Sequence, residues 1–139
     1  MTTTAKIILR SLAATPLKIA LVYAGLISLL YGEFRPLPLW MGDALAYLIH
    51  FAAAYFLALW VLHRRSGRWL DGAVVAFNFI VIGALLEIFL AALLRGPSEG
   101  LLLGLFTWQS AFVNLCYLMG VICAWVQVRL TLKRDASRV

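Results

Sequence analysis

Four long apolar runs alternate with short polar segments along this chain, over residues 15–31, 39–62, 72–94 and about 106–128. Each is long enough for a helix that crosses a bilayer, which takes about 20 mostly apolar residues. The segments between them carry helix stoppers and turn residues. YGEFRPL holds Gly32 and Pro36, HRRSGRWLD is basic with one glycine, and RGPSE holds Gly96 and Pro97. The uncharged stretch of residues 100–128 exceeds one span, so its LLLGL portion is expected at the interface ahead of the last helix. No connection is long enough to separate domains, and there is no internal repeat. The pattern predicts an all-α protein: a single membrane domain built as a bundle of four transmembrane helices.

Composition strengthens that reading. Of the 139 residues, 64% are hydrophobic and 13% charged, and the mean hydropathy is +0.95. A soluble domain runs at roughly 45–50% apolar and about 25% charged. The balance excludes a disordered chain, a coiled coil, a nucleic-acid module and an ordinary soluble enzyme. A basic start before the first run resembles a signal peptide, but the sequence after it, LLYGEFRPLP, has no small-x-small cleavage site. The first run is therefore expected to be a retained membrane helix.

Lys and Arg number 12 against 6 acids, giving a net charge of +6. In a membrane protein their placement matters more than their sum. Ten of the 12 fall on one side of the expected bundle: Lys6, Arg10, Lys18, Arg64, Arg65, Arg68, Arg129, Lys133, Arg134 and Arg138. Only Arg35 and Arg95 fall on the other. The positive-inside rule then predicts that both termini are cytoplasmic. Trp40, Trp60, Trp69, Trp108 and Trp125 lie near span ends, as an interfacial aromatic belt requires. The basic HRRSGR loop and the Lys133–Arg134 pair serve as this topology signal, and the same charges would attract anionic headgroups.

The polar residues within the spans are the candidates for function. Counted at about 1.5 Å per residue, His50 lies about 15 Å below the outer surface, and Glu87 and Asn114 about 12 Å. Asp43, Arg95 and Gln109 lie nearer that surface. Asp43, Tyr47 and His50 share one helical stripe, as do Thr107, Ser110 and Asn114. Asn78 is nine residues before Glu87, on the opposite face of a regular helix and toward the cytoplasmic end, so it stands outside the cluster. An ionised carboxylate at that depth costs at least about 2.5–3.5 kcal/mol. Glu87 is therefore expected to face the interior, protonated or partnered, with His50 and then Asn114 as partners. Such a group marks either a functional site or a hydrogen-bonded packing knot.

No cofactor or metal is expected. Cys116 and Cys123 stand seven residues apart on one helix, about 10 Å of rise, too far for a disulfide, and no paired-cysteine metal spacing occurs. His50 and His63 lie at different depths, which argues against one haem bridged by both. No P-loop, nucleophile elbow or HExxH is present. Gly25, Gly83 and Gly120 are candidates for close helix contact.

Three stretches resemble the VanZ-like family of small bacterial membrane proteins. HFAAAYFLALWVLHRR, residues 50–65, is similar to that family's second-helix signature, a His-Phe pair followed by a Tyr and an apolar run ending in basic residues. LLEIFLAALLRG, residues 85–96, resembles its Leu-Leu-Glu segment with an Arg in the following turn. SAFVNLCYLMG, residues 110–120, resembles its Asp-x-x-x-Asn segment followed by glycines. The likeness covers about residues 40–125. The chain departs from the pattern at Asp43, which is seven residues before the His with no Lys after it, at Leu90 in place of a Gln, and at Ser110 in place of an Asp. The resemblance implies a four-helix protein of the bacterial inner membrane and cell envelope, in a family associated with glycopeptide (teicoplanin) resistance. Its regular polar positions match His50, Glu87, Arg95 and Asn114.

Two functions from different classes follow. One is an outer-leaflet polar pocket for a lipid or lipid-linked envelope precursor, using His50, Glu87 and Asn114 below a mouth of Asp43, Arg95, Gln109 and Ser110. The other is a small accessory subunit of a larger membrane complex. An enzyme or proton-coupled carrier using Glu87 and His50 is the weakest reading, for want of a nucleophile or metal set. The expected partners are membrane lipids, with a larger complex or a homo-oligomer compatible with either reading, and no nucleic acid.

Overall fold

A computed structural model describes residues 3–31, 38–63, 68–95 and 107–137, without the side chains of residues 30, 31, 39 and 95. The expectations for Arg35, Arg64, Arg65, Arg138, the turn residues of the first and third connections and the LLLGL segment lie outside the described residues. The described chain is helical throughout: α1 is Thr3–Tyr31, α2 Leu39–Leu62, α3 Trp69–Phe77, α4 Gly83–Arg95 and α5 Trp108–Ala136. A π-helical turn, Asn78–Ile82, joins α3 to α4, so that these three pieces make one continuous crossing. Four helices are long and apolar enough to span a membrane.

The second span coincides with its predicted limits. The others are longer. The third starts at Trp69 rather than 72 and ends at Arg95, and α5 runs from Trp108 to Ala136 rather than over 106–128. The largest correction is at α1, which begins at Thr3 instead of residue 15. Lys6, Arg10, Lys18 and Pro16 depress hydropathy there, yet nothing in the backbone stops the helix. Pro16 lies inside it, and membrane helices tolerate proline when side chains re-satisfy nearby carbonyls. Thr15 Oγ1 donates to the Ser11 carbonyl at 2.8 Å, and Ser11 Oγ to that of Ile8 at 2.9 Å.

The tightest pairing is α2 with α5, and α1 lies against α2 and against the α3–π–α4 crossing. Lipid is as apolar as leucine, so close van der Waals fit rather than water exclusion holds such helices together. Gly120 provides it: a Cβ there would stand 2.8 Å from the Phe51 carbonyl oxygen and 3.0 Å from Ala54 Cβ. Around that contact the core gathers Ala54, Leu57, Ala58 and Val61 of α2 with Tyr117, Val121 and Ala124 of α5. Val75 and Phe79 close it from the third crossing, and Ala14 and Val22 from α1. At the opposite end from Arg95, Trp125 packs on Gly72 and donates its indole N–H to the Arg68 carbonyl at 3.1 Å. This fixes the level at which α3 begins. From there α5 continues to Ala136, about 16 Å farther.

Candidate functional site

Among the described residues, most of the buried polar groups, Ser11, Thr15, Lys18 and Asn78, meet at α1. Ser11, Thr15 and Lys18, spaced for one face of a helix, are all fully buried. They face the third crossing at the point where it departs from α-helical geometry. Asn78 Nδ2 donates to Ser11 Oγ at 2.5 Å, and Lys18 Nζ donates to the Phe79 carbonyl oxygen at 2.7 Å. Lys18 also stands 3.7 Å from the centre of the Tyr117 ring and 6.0 Å from that of Phe79. Gly83 makes the room, because a Cβ there would lie 2.8 Å from Nζ. The ammonium is thus held by one carbonyl, one aromatic face and a notch in α4, with Glu87 near enough to act on it through charge.

The hydropathy pattern sets Lys18 at the start of the first helix, among the cytoplasmic cations. It lies instead in mid-span, because α1 begins fifteen residues before it. Without it, nine cations remain on the more basic side of the charge count. The site residue that sequence reasoning missed is therefore this lysine. Its signal is in the chain: Ser11, Thr15 and Lys18 form a polar stripe at helical spacing.

Asn78 is a second correction. Nine residues of regular helix turn the chain by about 900° and would set Glu87 opposite it. The π turn absorbs one residue and removes about 100°, leaving the two within about 80° of each other. Asn78 and Phe79 both bond α1, and Glu87 acts on Lys18 of that same helix.

The expected trio is arranged differently from the direct network that its depths imply. His50 is buried and its ring lies 5.5 Å from that of Tyr117. Its Nδ1 is 2.7 Å from the Ala46 carbonyl oxygen. A neutral His50 donates from Nδ1 to that carbonyl and keeps Nε2 as an acceptor. Among the described residues no hydrogen bond joins His50, Glu87 and Asn114 to one another. Tyr117 stands between His50 and Glu87 instead: His50 lies against its ring, Lys18 stands over its face, and Glu87 lies within electrostatic reach. Glu87 and Asn114 are half-buried, so both keep a side open to a visitor.

The outer members fall at helix ends on one side of the bundle. Asp43 is exposed just past the first turn of α2, and Arg95 closes α4. Gln109 is exposed and Ser110 half-buried in the first turn of α5, where Thr107 Oγ1 caps the helix by accepting from the Ser110 N–H at 3.2 Å. Tyr47 and Phe112, with ring centres 5.9 Å apart, tie α2 to α5 at this end.

Two features lie apart. Asp71, in the first turn of α3, is buried with Oδ2 lacking a hydrogen-bond partner. Toward the far end of α5 a groove of about 670 Å³ is lined by Arg10, Trp60, His63, Gln127, Thr131 and Asp135, among others. Among the described residues no group of His, Cys, Asp and Glu could hold a metal ion, and both cysteines are free. No family model, curated protein or solved structure matches the chain.

Proposed function

We propose that this is a VanZ-like protein of the bacterial inner membrane, with both termini cytoplasmic. Its polar centre binds a lipid or lipid-linked cell-envelope precursor from the outer leaflet, in a role related to glycopeptide resistance. The observation that carries the reading is the buried Lys18 ammonium, bonded to the Phe79 carbonyl over the Tyr117 ring that His50 also touches, with the half-buried Glu87 within electrostatic reach. A packing knot can be made from neutral hydroxyls and amides, as Ser11 and Asn78 make theirs. An ammonium and a carboxylate at membrane depth are costly and are retained where charge is used.

The chemistry divides among the groups. Lys18 is occupied by its carbonyl and its aromatic face, so it acts as a fixed positive charge that attracts the Glu87 carboxylate. The open sides of Glu87 and Asn114 offer an acceptor and an amide to the hydroxyl or amide groups of a ligand. Arg95, at the end of α4, suits a phosphate through its planar guanidinium. His50 Nε2 supplies a further acceptor.

Native mass spectrometry of the protein extracted mildly from its own membrane tests the reading. A bound lipid is expected, lost in Glu87→Gln. Retention of that lipid by Glu87→Gln would overturn the site. A protein partner in place of the lipid would move the assignment to an accessory subunit of a larger complex, with the polar set as its packing glue.

A further inference from the structure

We infer that Lys18 is the positioning residue that holds the π turn at residues 78–82, and that it thereby sets the rotational register of α4 that brings Glu87 to the polar centre. The inference deepens the reading above, because it concerns the orientation of that site's carboxylate.

The backbone bonds of the turn carry the argument. In a regular α-helix the Gly83 N–H would bond the Phe79 carbonyl, four residues back. Here the Gly83 N–H reaches the Asn78 and Ile80 carbonyls instead. The Phe79 carbonyl, deprived of that donor, receives Lys18 Nζ at 2.7 Å. In hydrocarbon a carbonyl without a donor is costly, and so is an ammonium without an acceptor. Each therefore satisfies the other, and both depend on the π turn. Closing the turn into an α-helix would return the Gly83 N–H to Phe79 and take from Lys18 its carbonyl acceptor.

Two contacts hold the ends of the device. Asn78, at the start of the π turn, is tied to Ser11 about two helical turns below Lys18 on the same face of α1. Gly83, at its end, accommodates Nζ against its own backbone, which any larger residue would block. Below them α3 is anchored by Trp125 against Gly72. The segment free to rotate is α4, which packs chiefly on α1. Without the π turn each α4 residue would advance by about 100°, taking the orientation now held by its successor. Glu87 would turn away from Lys18.

The test reads the phase of α4 directly, in the full chain. Single nitroxide labels are placed at residues 84–93 in a Cys116→Ala, Cys123→Ala background, in phosphatidylcholine vesicles, and oxygen accessibility is measured by electron paramagnetic resonance. In the parent chain the maxima should fall at Leu85, Phe89 and Leu93, the exposed face. In Lys18→Met they should move to Ala84, Ile88 and Ala92. Deleting Val81 from Lys18→Met removes the extra residue of the turn and should restore the parent phase. Maxima that stay in place in Lys18→Met would overturn the inference. Should Lys18→Met fail to fold, the deletion decides: recovery of a folded chain with the parent phase supports the role, and no recovery refutes it. The readout needs no ligand, so a lipid that persists in Glu87→Gln sinks the proposed function and leaves this inference standing.

Discussion

The Lys18 ammonium lies 3.7 Å from the centre of the Tyr117 ring, deep between α1 and α5. The ring face is electron-rich, and for a cation as fully buried as Lys18 the attraction reaches about 2 kcal/mol or more. His50 rests against the same ring, so one tyrosine joins the cation of α1 to the imidazole of α2.

The ring, rather than the hydroxyl, should therefore carry the contact. Tyr117→Phe is expected to unfold within about 0.5 kcal/mol of the parent, and Tyr117→Leu to lose about 2 kcal/mol or more. Reversible unfolding in mixed detergent micelles measures both. Equal losses for the two variants would place the energy in the hydroxyl.

Asn78 and Ser11 form the neutral counterpart of that contact about two turns away along the same face of α1. Hydrogen bonds between membrane helices average about 0.6 kcal/mol and reach about 1.7. A double-mutant cycle with Ser11→Ala and Asn78→Leu should return a coupling in the upper half of that range, because both groups are enclosed. A coupling near zero would mean that the unfolded chain finds equivalent partners within the membrane.

Two glycines on the bundle should behave oppositely. Gly120→Ala forces a Cβ to 2.8 Å from the Phe51 carbonyl and is expected to cost about 1–3 kcal/mol by driving α2 away from α5. Gly42→Ala meets nothing within 4 Å and should gain about 0.5–1 kcal/mol, since it lies in a helix and loses only backbone freedom. The same unfolding measurement decides both.

The proposed orientation places Thr4 and Ser137 on one face of the membrane and Gln109 on the other. Single cysteines at these positions, in a chain without Cys116 and Cys123, should separate cleanly with an impermeant maleimide. Gln109→Cys is expected to react in intact cells, and Thr4→Cys and Ser137→Cys only after the membrane is opened. Reaction of all three in intact cells would refute the arrangement.

The apolar runs by themselves determined the four spans, because a helix must pair its own backbone where no water is present and its length is set by bilayer thickness. They also determined which residues stand at span ends: Asp43, Arg95 and Gln109 occupy helix ends in the folded chain. Hydropathy failed where the cost of a polar residue is offset by a neighbour. Lys18 reads as a flank because its cost is visible in the sequence, whereas the Phe79 carbonyl and the Tyr117 face that offset it come from other helices.

The angular relation of Asn78 to Glu87 was decided by tertiary structure alone. A period of 3.6 residues holds only while each N–H reaches the carbonyl four residues back. At Gly83 it does not, and the reason is a lysine sixty-one residues away from the carbonyl it displaces the amide from. No local pattern in NFIVI announces that turn. It exists because α1 brings an ammonium to a backbone oxygen, and that meeting requires the helices already to be packed.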